Sequence, residues 1–114
     1  MARKNTSHSF SVITAGSMAG SLTSSTTNVA YTDNVGYHCV WTGTPTGTIT
    51  VEASIDGTNW DSLTLNPPIS TGGAASSTLI SLNQLPYELV RLKYNRTSGT
   101  GTLNVVVMTK SVGA

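Results

Sequence analysis

The chain has 114 residues and a mass of 11.8 kDa, one domain's worth of polypeptide, and its single cysteine, Cys39, excludes both a disulfide framework and a cysteine-built zinc site. Six basic residues against five acidic ones leave a net charge of +1, which excludes a polyanion-binding excess and an acidic tail. Charged residues make up 10% of the chain, against about 25% in an ordinary soluble domain, while 34 residues are Ser or Thr. Hydroxyls therefore cover a surface that charge usually keeps dispersed, which suits a protein held against a partner or in a symmetric array.

In chain order, residues 1–7 carry Arg3 and Lys4 without a following apolar run, so the N-terminus does not read as a secretory signal. No stretch reaches the ~18–20 apolar residues of a membrane span. Residues 1–30 are rich in small and hydroxyl side chains, with Phe10, Val12, Ile13, Met18, Leu22 and Val29 as the sizeable apolar anchors. They are expected to form an N-terminal arm or edge segment, and Phe10, Val12 and Ile13 are the candidate assembly contacts. An exposed strand of this kind docks on a neighbouring subunit or stays a loose terminus.

Residues 31–114 are expected to form a β-sandwich. A strand over 36–41 ends at the turn 43–47, which holds Gly43, Pro45 and Gly47. Residues 48–55 alternate, with Ile49, Val51, Ala53 and Ile55 on one face and Thr48, Thr50, Glu52 and Ser54 on the other, the period of a half-buried strand. Asp56-Gly57 marks a tight turn, and residues 60–65 return as the hairpin partner. Pro67-Pro68 and Gly72-Gly73 make 66–77 a loop, and a short strand follows over 78–82. Residues 89–95 set Val90, Leu92 and Tyr94 against Leu89, Arg91, Lys93 and Asn95, and residues 102–108 point Leu103, Val105 and Val107 inward. No window carries a capped helical repeat. The fold class is all-β, a single antiparallel β-sandwich of jelly-roll type with an extended N-terminal arm.

Catalytic constellations are absent from this pattern. His38 and Cys39 are adjacent, so in a strand they point to opposite faces and form no nucleophile–base pair; beside Val40, Cys39 reads as a small buried hydrophobe. Asp56 and Asp61 flank a turn and do not face each other across a cleft as paired glycosidic carboxyls do. Glu52, Asp56 and Asp61 could hold a Ca²⁺ ion with loop carbonyls, but each is better explained as a turn former or a solvated strand residue. Arg91 and Lys93 lie on the face opposite Tyr94, and three charges with Arg96 on a near-neutral chain make no basic stripe interleaved with aromatics, so no nucleic-acid surface is expected. Asn5-Thr6-Ser7 and Asn95-Arg96-Thr97 match the glycosylation pattern, which carries no weight without a secretory route. Trp41, Trp60 and Tyr87 are the aromatic residues from which a glycan-stacking platform could be built; packing within the sandwich is the competing role for both tryptophans. No cofactor, metal site, nucleic-acid or membrane contact is expected.

The segment Val51-Glu52-Ala53-Ser54-Ile55-Asp56-Gly57-Thr58-Asn59-Trp60 resembles the strand, DG turn and Trp of discoidin-type jelly rolls and of small bacteriophage virion proteins. Residues 32–37 leading into the turn at 43–47, and residues 90–105, resemble the same phage proteins. The chain is shorter than discoidin modules and lacks their bridging cysteines. This resemblance, which spans residues 31–108, implies a non-enzymatic virion structural protein made in the host cytoplasm. A capsid decoration or cement protein that stabilises neighbouring capsid subunits is the first expectation, with a tail, neck or fibre component and a carbohydrate-binding module for host attachment as alternatives. The implied partners are the major capsid protein or other virion proteins; the need to cover surface adds further copies of the chain in closed symmetry, a trimer being the favoured case.

Overall fold

A computed structural model describes residues 5–29, 34–65, 68–83 and 87–112. Ten strands form, with no helix among the described residues: β1 (Asn5–Ser17), β2 (Leu22–Thr23), β3 (Thr27–Asn28), β4 (Asn34–Gly43), β5 (Thr46–Ser54), β6 (Asp61–Ser62), β7 (Ile69–Ser70), β8 (Ser76–Asn83), β9 (Leu89–Ser98) and β10 (Gly101–Val112). All pairings are antiparallel. The first sheet has the order β1-β10-β4-β8. In the second, β9 and β5 form the centre, β2 and β3 both pair with β9, and β6 and β7 both pair with β5.

Each of these short pairs acts as one interrupted edge strand, so the described residues form eight strands in effect. They pair first with last, second with seventh, third with sixth and fourth with fifth. A long hairpin rolled up on itself in this way is the jelly roll, which the alternating strands and frequent turns of the sequence imply.

Alternation builds the core. Val35, Tyr37, Cys39 and Trp41 point inward from β4, Ile49, Val51 and Ala53 from β5, Val90, Leu92 and Tyr94 from β9, and Leu103, Val105 and Val107 from β10. Each large side chain removed from water this way contributes roughly 1.5–3 kcal/mol. The β4–β5 and β9–β10 connections cross between the sheets side by side, and the Thr44 N–H donates to the Thr100 carbonyl at 2.9 Å. Gly99 makes that approach possible: its φ is 78°, and a Cβ there would run into the Thr44 carbonyl.

Three expectations change. Of the two forms expected for the N-terminal segment, the described residues 5–29 take the edge segment and not the free arm: β1 is the edge strand beside β10, and the core draws Val12, Ile13, Met18 and Val29 from this segment. Register shifts between Ser11 and Ile13 and again before Gly16 let both Val12 and Ile13 turn inward, where strict alternation would expose one of them. Ile55 does not continue the apolar face of β5; it is 68% exposed, whereas Ser54 is buried. The Ser54 hydroxyl donates to Asp56 Oδ1 at 3.1 Å and accepts the Gly57 N–H at 2.8 Å, so the turn begins before the strand period can reach Ile55. Residues 60–65 return along β5 only through β6 and a hydrogen bond from the Leu63 N–H to the Val51 carbonyl at 2.7 Å.

Candidate functional site

The outer face of the first sheet is built from the residues that alternate with the core. β4 contributes Gly36, His38 and Val40, β10 contributes Asn104, Val106, Met108 and Lys110, and β8 contributes Ser77, Leu79 and Ser81. The register sets Val106 and Leu79 on either side of His38, with Val40 two residues further along β4. Val40, Leu79, Val106 and Met108 are 41–72% exposed. Gly36 leaves a shallow depression of about 150 Å³ that Met108, Ser81 and Lys110 help to line. The described carboxylates lie elsewhere: Glu52 on β5, Asp61 on β6, Asp56 in the turn between them and Glu88 just before β9. Among the described residues, this face thus mixes exposed apolar side chains with His38, Lys110 and uncharged polar groups and carries no carboxylate, while the second sheet and its turns hold most of the charge. Val40, Leu79, Val106 and Met108 are four of the six large apolar side chains that stay exposed among the described residues.

This face has a signature in the sequence that differs from simple alternation. An antiparallel strand with one face in water alternates, yet Val105-Val106-Val107, Cys39-Val40-Trp41 and Leu79-Ile80 place apolar residues at consecutive positions. Consecutive apolar residues put one on each face of the sheet. The three runs lie on neighbouring strands β10, β4 and β8, so their outward members converge.

On the second sheet, the Arg91 Nε donates to Glu52 Oε1 at 2.8 Å, and the Arg91 guanidinium lies over the Trp60 ring, 4.1 Å from its centroid. Trp60 is therefore neither a core residue nor a freely presented platform. Trp41 is buried in the core, with its indole N–H donating to the Ala74 carbonyl at 2.8 Å. The two tryptophans belong to opposite sheets and build no common stacking surface.

Tyr87 does border an open cleft, of about 540 Å³, with Ala53, Ile55 and Leu63 as apolar wall and Ser54, Asp56, Asn59, Asp61 and Ser62 as polar rim. Asp56 is committed to its own turn. Its Oδ1 accepts the Thr58 and Asn59 N–H groups at 2.9 and 2.8 Å, and its Oδ2 accepts from Asn59 Nδ2 at 2.8 Å. These donors hold its carboxyl well below the usual carboxylate range. Asp61, Ser62 and the amide oxygen of Asn59 are the rim groups that the turn does not engage.

Of the candidate assembly contacts, Val12 and Ile13 are buried in the chain's own core, and Phe10 remains 45% exposed at its end. His38 faces outward while Cys39 is fully buried, with burial pushing its thiol up to about 12. Among the described residues, no three His, Cys, Asp or Glu side chains gather where a metal ion could sit. No helix among them is long and apolar enough to cross a membrane.

No family model and no curated protein matches the sequence. Solved structures match the fold. The SPBc2 prophage-derived protein YomS superposes with a TM-score of 0.68 at 13% identity, over 95% of this chain and 97% of its own. A chain from the structure of infectious bursal disease virus Gx strain gives a TM-score of 0.60 at 11% identity, with 97% of this chain covering 33% of the viral one. The jelly roll seen here is thus a fold that viral proteins use.

Proposed function

We propose that this chain is a non-enzymatic structural protein of a bacterial virus, a capsid decoration protein whose first sheet lies against a neighbouring capsid subunit. The observation that carries the reading is the outer face, without a carboxylate among its described residues, on which Val40, Leu79, Val106 and Met108 stand around His38. Apolar side chains left in water on a chain this poor in charge gain by being covered. The fold shared with a prophage-derived protein supports a viral setting, and the hydroxyl-rich surface suits a many-copy array. A tail, neck or fibre component would use the same face, and copy number separates the two.

Quantitative mass spectrometry of purified particles, scaled to the major capsid protein, tests the proposal. Hundreds of copies are expected, and a few dozen or fewer would move the protein to the neck, tail or fibres. Val106→Glu, at an exposed position, is expected to keep the fold and lose particle binding. Full binding by that variant would remove the first sheet from the contact. A second reading rests on the cleft beside Tyr87, where an aromatic ring, Asp61 and Asn59 meet as they do in saccharide sites. Absence from particles, with glycan retention lost in Tyr87→Ala, would favour it.

A further inference from the structure

The four sheet edges are unequal. β1 is broken by two register shifts, and both edges of the second sheet are made of two-residue strands. Such interruptions keep an edge from templating another chain. β8 has none of these devices. Its eight residues, Ser76–Asn83, hold no charge and no proline, and it pairs with β4 in unbroken register. Among the described residues, nothing hydrogen-bonds its backbone on the other side. A groove of about 270 Å³ runs along Thr78, Leu79, Ile80, Ser81 and Leu82, with Thr64, Leu65 and Ile69 as the facing wall. Leu79, the most exposed of the large apolar side chains described, stands at this edge.

We propose that β8 pairs with β8 of a second copy, antiparallel across a two-fold axis, to join the two first sheets into one continuous sheet. An antiparallel edge is self-complementary under a two-fold, and an uncharged edge meets its own copy without like-charge repulsion. The faces restrict the register. Ser77, Leu79 and Ser81 point outward, so they must oppose outward residues of the partner, and any odd shift would put Leu79 on the inner side. Pairing centred on Leu79 sets that residue against its own copy and Ser77 against Ser81. It covers the most exposed leucine and brings the two groove walls, with Leu65 and Ile69, toward each other. The product is a dimer with the apolar face doubled in extent, in place of the trimer that surface coverage alone suggests. This pairing stands independently of the virion role.

Sedimentation equilibrium of the whole chain tests it. A reversible species of twice 11.8 kDa is expected, and Leu79→Lys, which sets two ammonium groups opposite each other, is expected to sediment as a monomer with its thermal melt preserved. Cysteine pairs read the register. Leu79→Cys is expected to give a covalent dimer under mild oxidation, Ser77→Cys alone is not, and a mixture of Ser77→Cys with Ser81→Cys is. Cys39 is buried and does not compete. A monomer or trimer at every concentration, a dimer indifferent to Leu79→Lys, or equal cross-linking by Ser77→Cys alone would overturn the proposal.

Discussion

The Tyr94 ring occupies the space in which a side chain at Gly47 would lie: a Cβ at position 47 would sit 2.9 Å from Tyr94 Cε1 and 3.0 Å from its hydroxyl, and would also run into the Asn95 carbonyl. Gly47 is thus the small partner in a cross-strand fit between β5 and β9. Gly47→Ala is expected to destabilise the fold by about 1–3 kcal/mol, the cost of overpacking, as read by urea unfolding. The Tyr94 hydroxyl is buried and finds no hydrogen-bond partner among the described residues, so Tyr94→Phe is expected to leave stability unchanged or raise it by about 1 kcal/mol. A large loss in Tyr94→Phe would mean that the hydroxyl is satisfied.

The two tryptophans are expected to respond differently to truncation. Trp41 is in the core, and Trp41→Ala should cost about 3–5 kcal/mol, as for a buried aromatic. Trp60 rests on Arg91 at the surface, and Trp60→Ala should cost about 1 kcal/mol. Equal losses in the two unfolding curves would contradict this division.

Asp56 gives the stability a pH dependence of definite sign. Its carboxyl is held low by the Asn59 and Thr58 N–H groups, so its contribution is present above the ordinary carboxylate value near ~4 and fades as pH falls toward the folded-state value. Melting temperatures of the natural chain and Asp56→Asn should differ at neutral pH and converge on acidification. A gap that stays constant down to strongly acidic pH would show that the carboxylate charge plays no part in closing the turn.

The Cys39 thiol is both inaccessible and poor in thiolate at neutral pH. Labelling by an aromatic disulfide reagent is expected to be negligible in the native protein and to rise with the unfolded fraction in urea. Fast labelling without denaturant would require β4 to open locally.

The extent of what is legible in the sequence follows from where the signal resides. Period-2 alternation is a local property, and residues 89–95 and 102–108 therefore disclose their inward faces correctly, as does the opposition of His38 and Cys39. The N-terminal segment misleads because its bulges break that period: Val12 and Ile13 read as side chains offered to a neighbour, yet both enter the core. Ile55 misleads for a related reason, since a hydrogen-bonded turn closes before the pattern ends. Trp60 and Tyr87 read as candidate platforms without their surroundings; the fold assigns one to a cation stack and the other to a cleft wall.

By itself, the sequence determined that the protein is a small all-β domain, poor in charge and built of short alternating strands, because composition and alternation act over neighbouring residues. Only the tertiary structure decided which outward residues stand together. Val40, Leu79 and Val106 come from three strands far apart in the chain, and the rolled-up pairing of β4, β8 and β10 makes them one face. The same pairing leaves β8 as the uninterrupted edge, because an edge exists only once the order of strands in the sheet is settled.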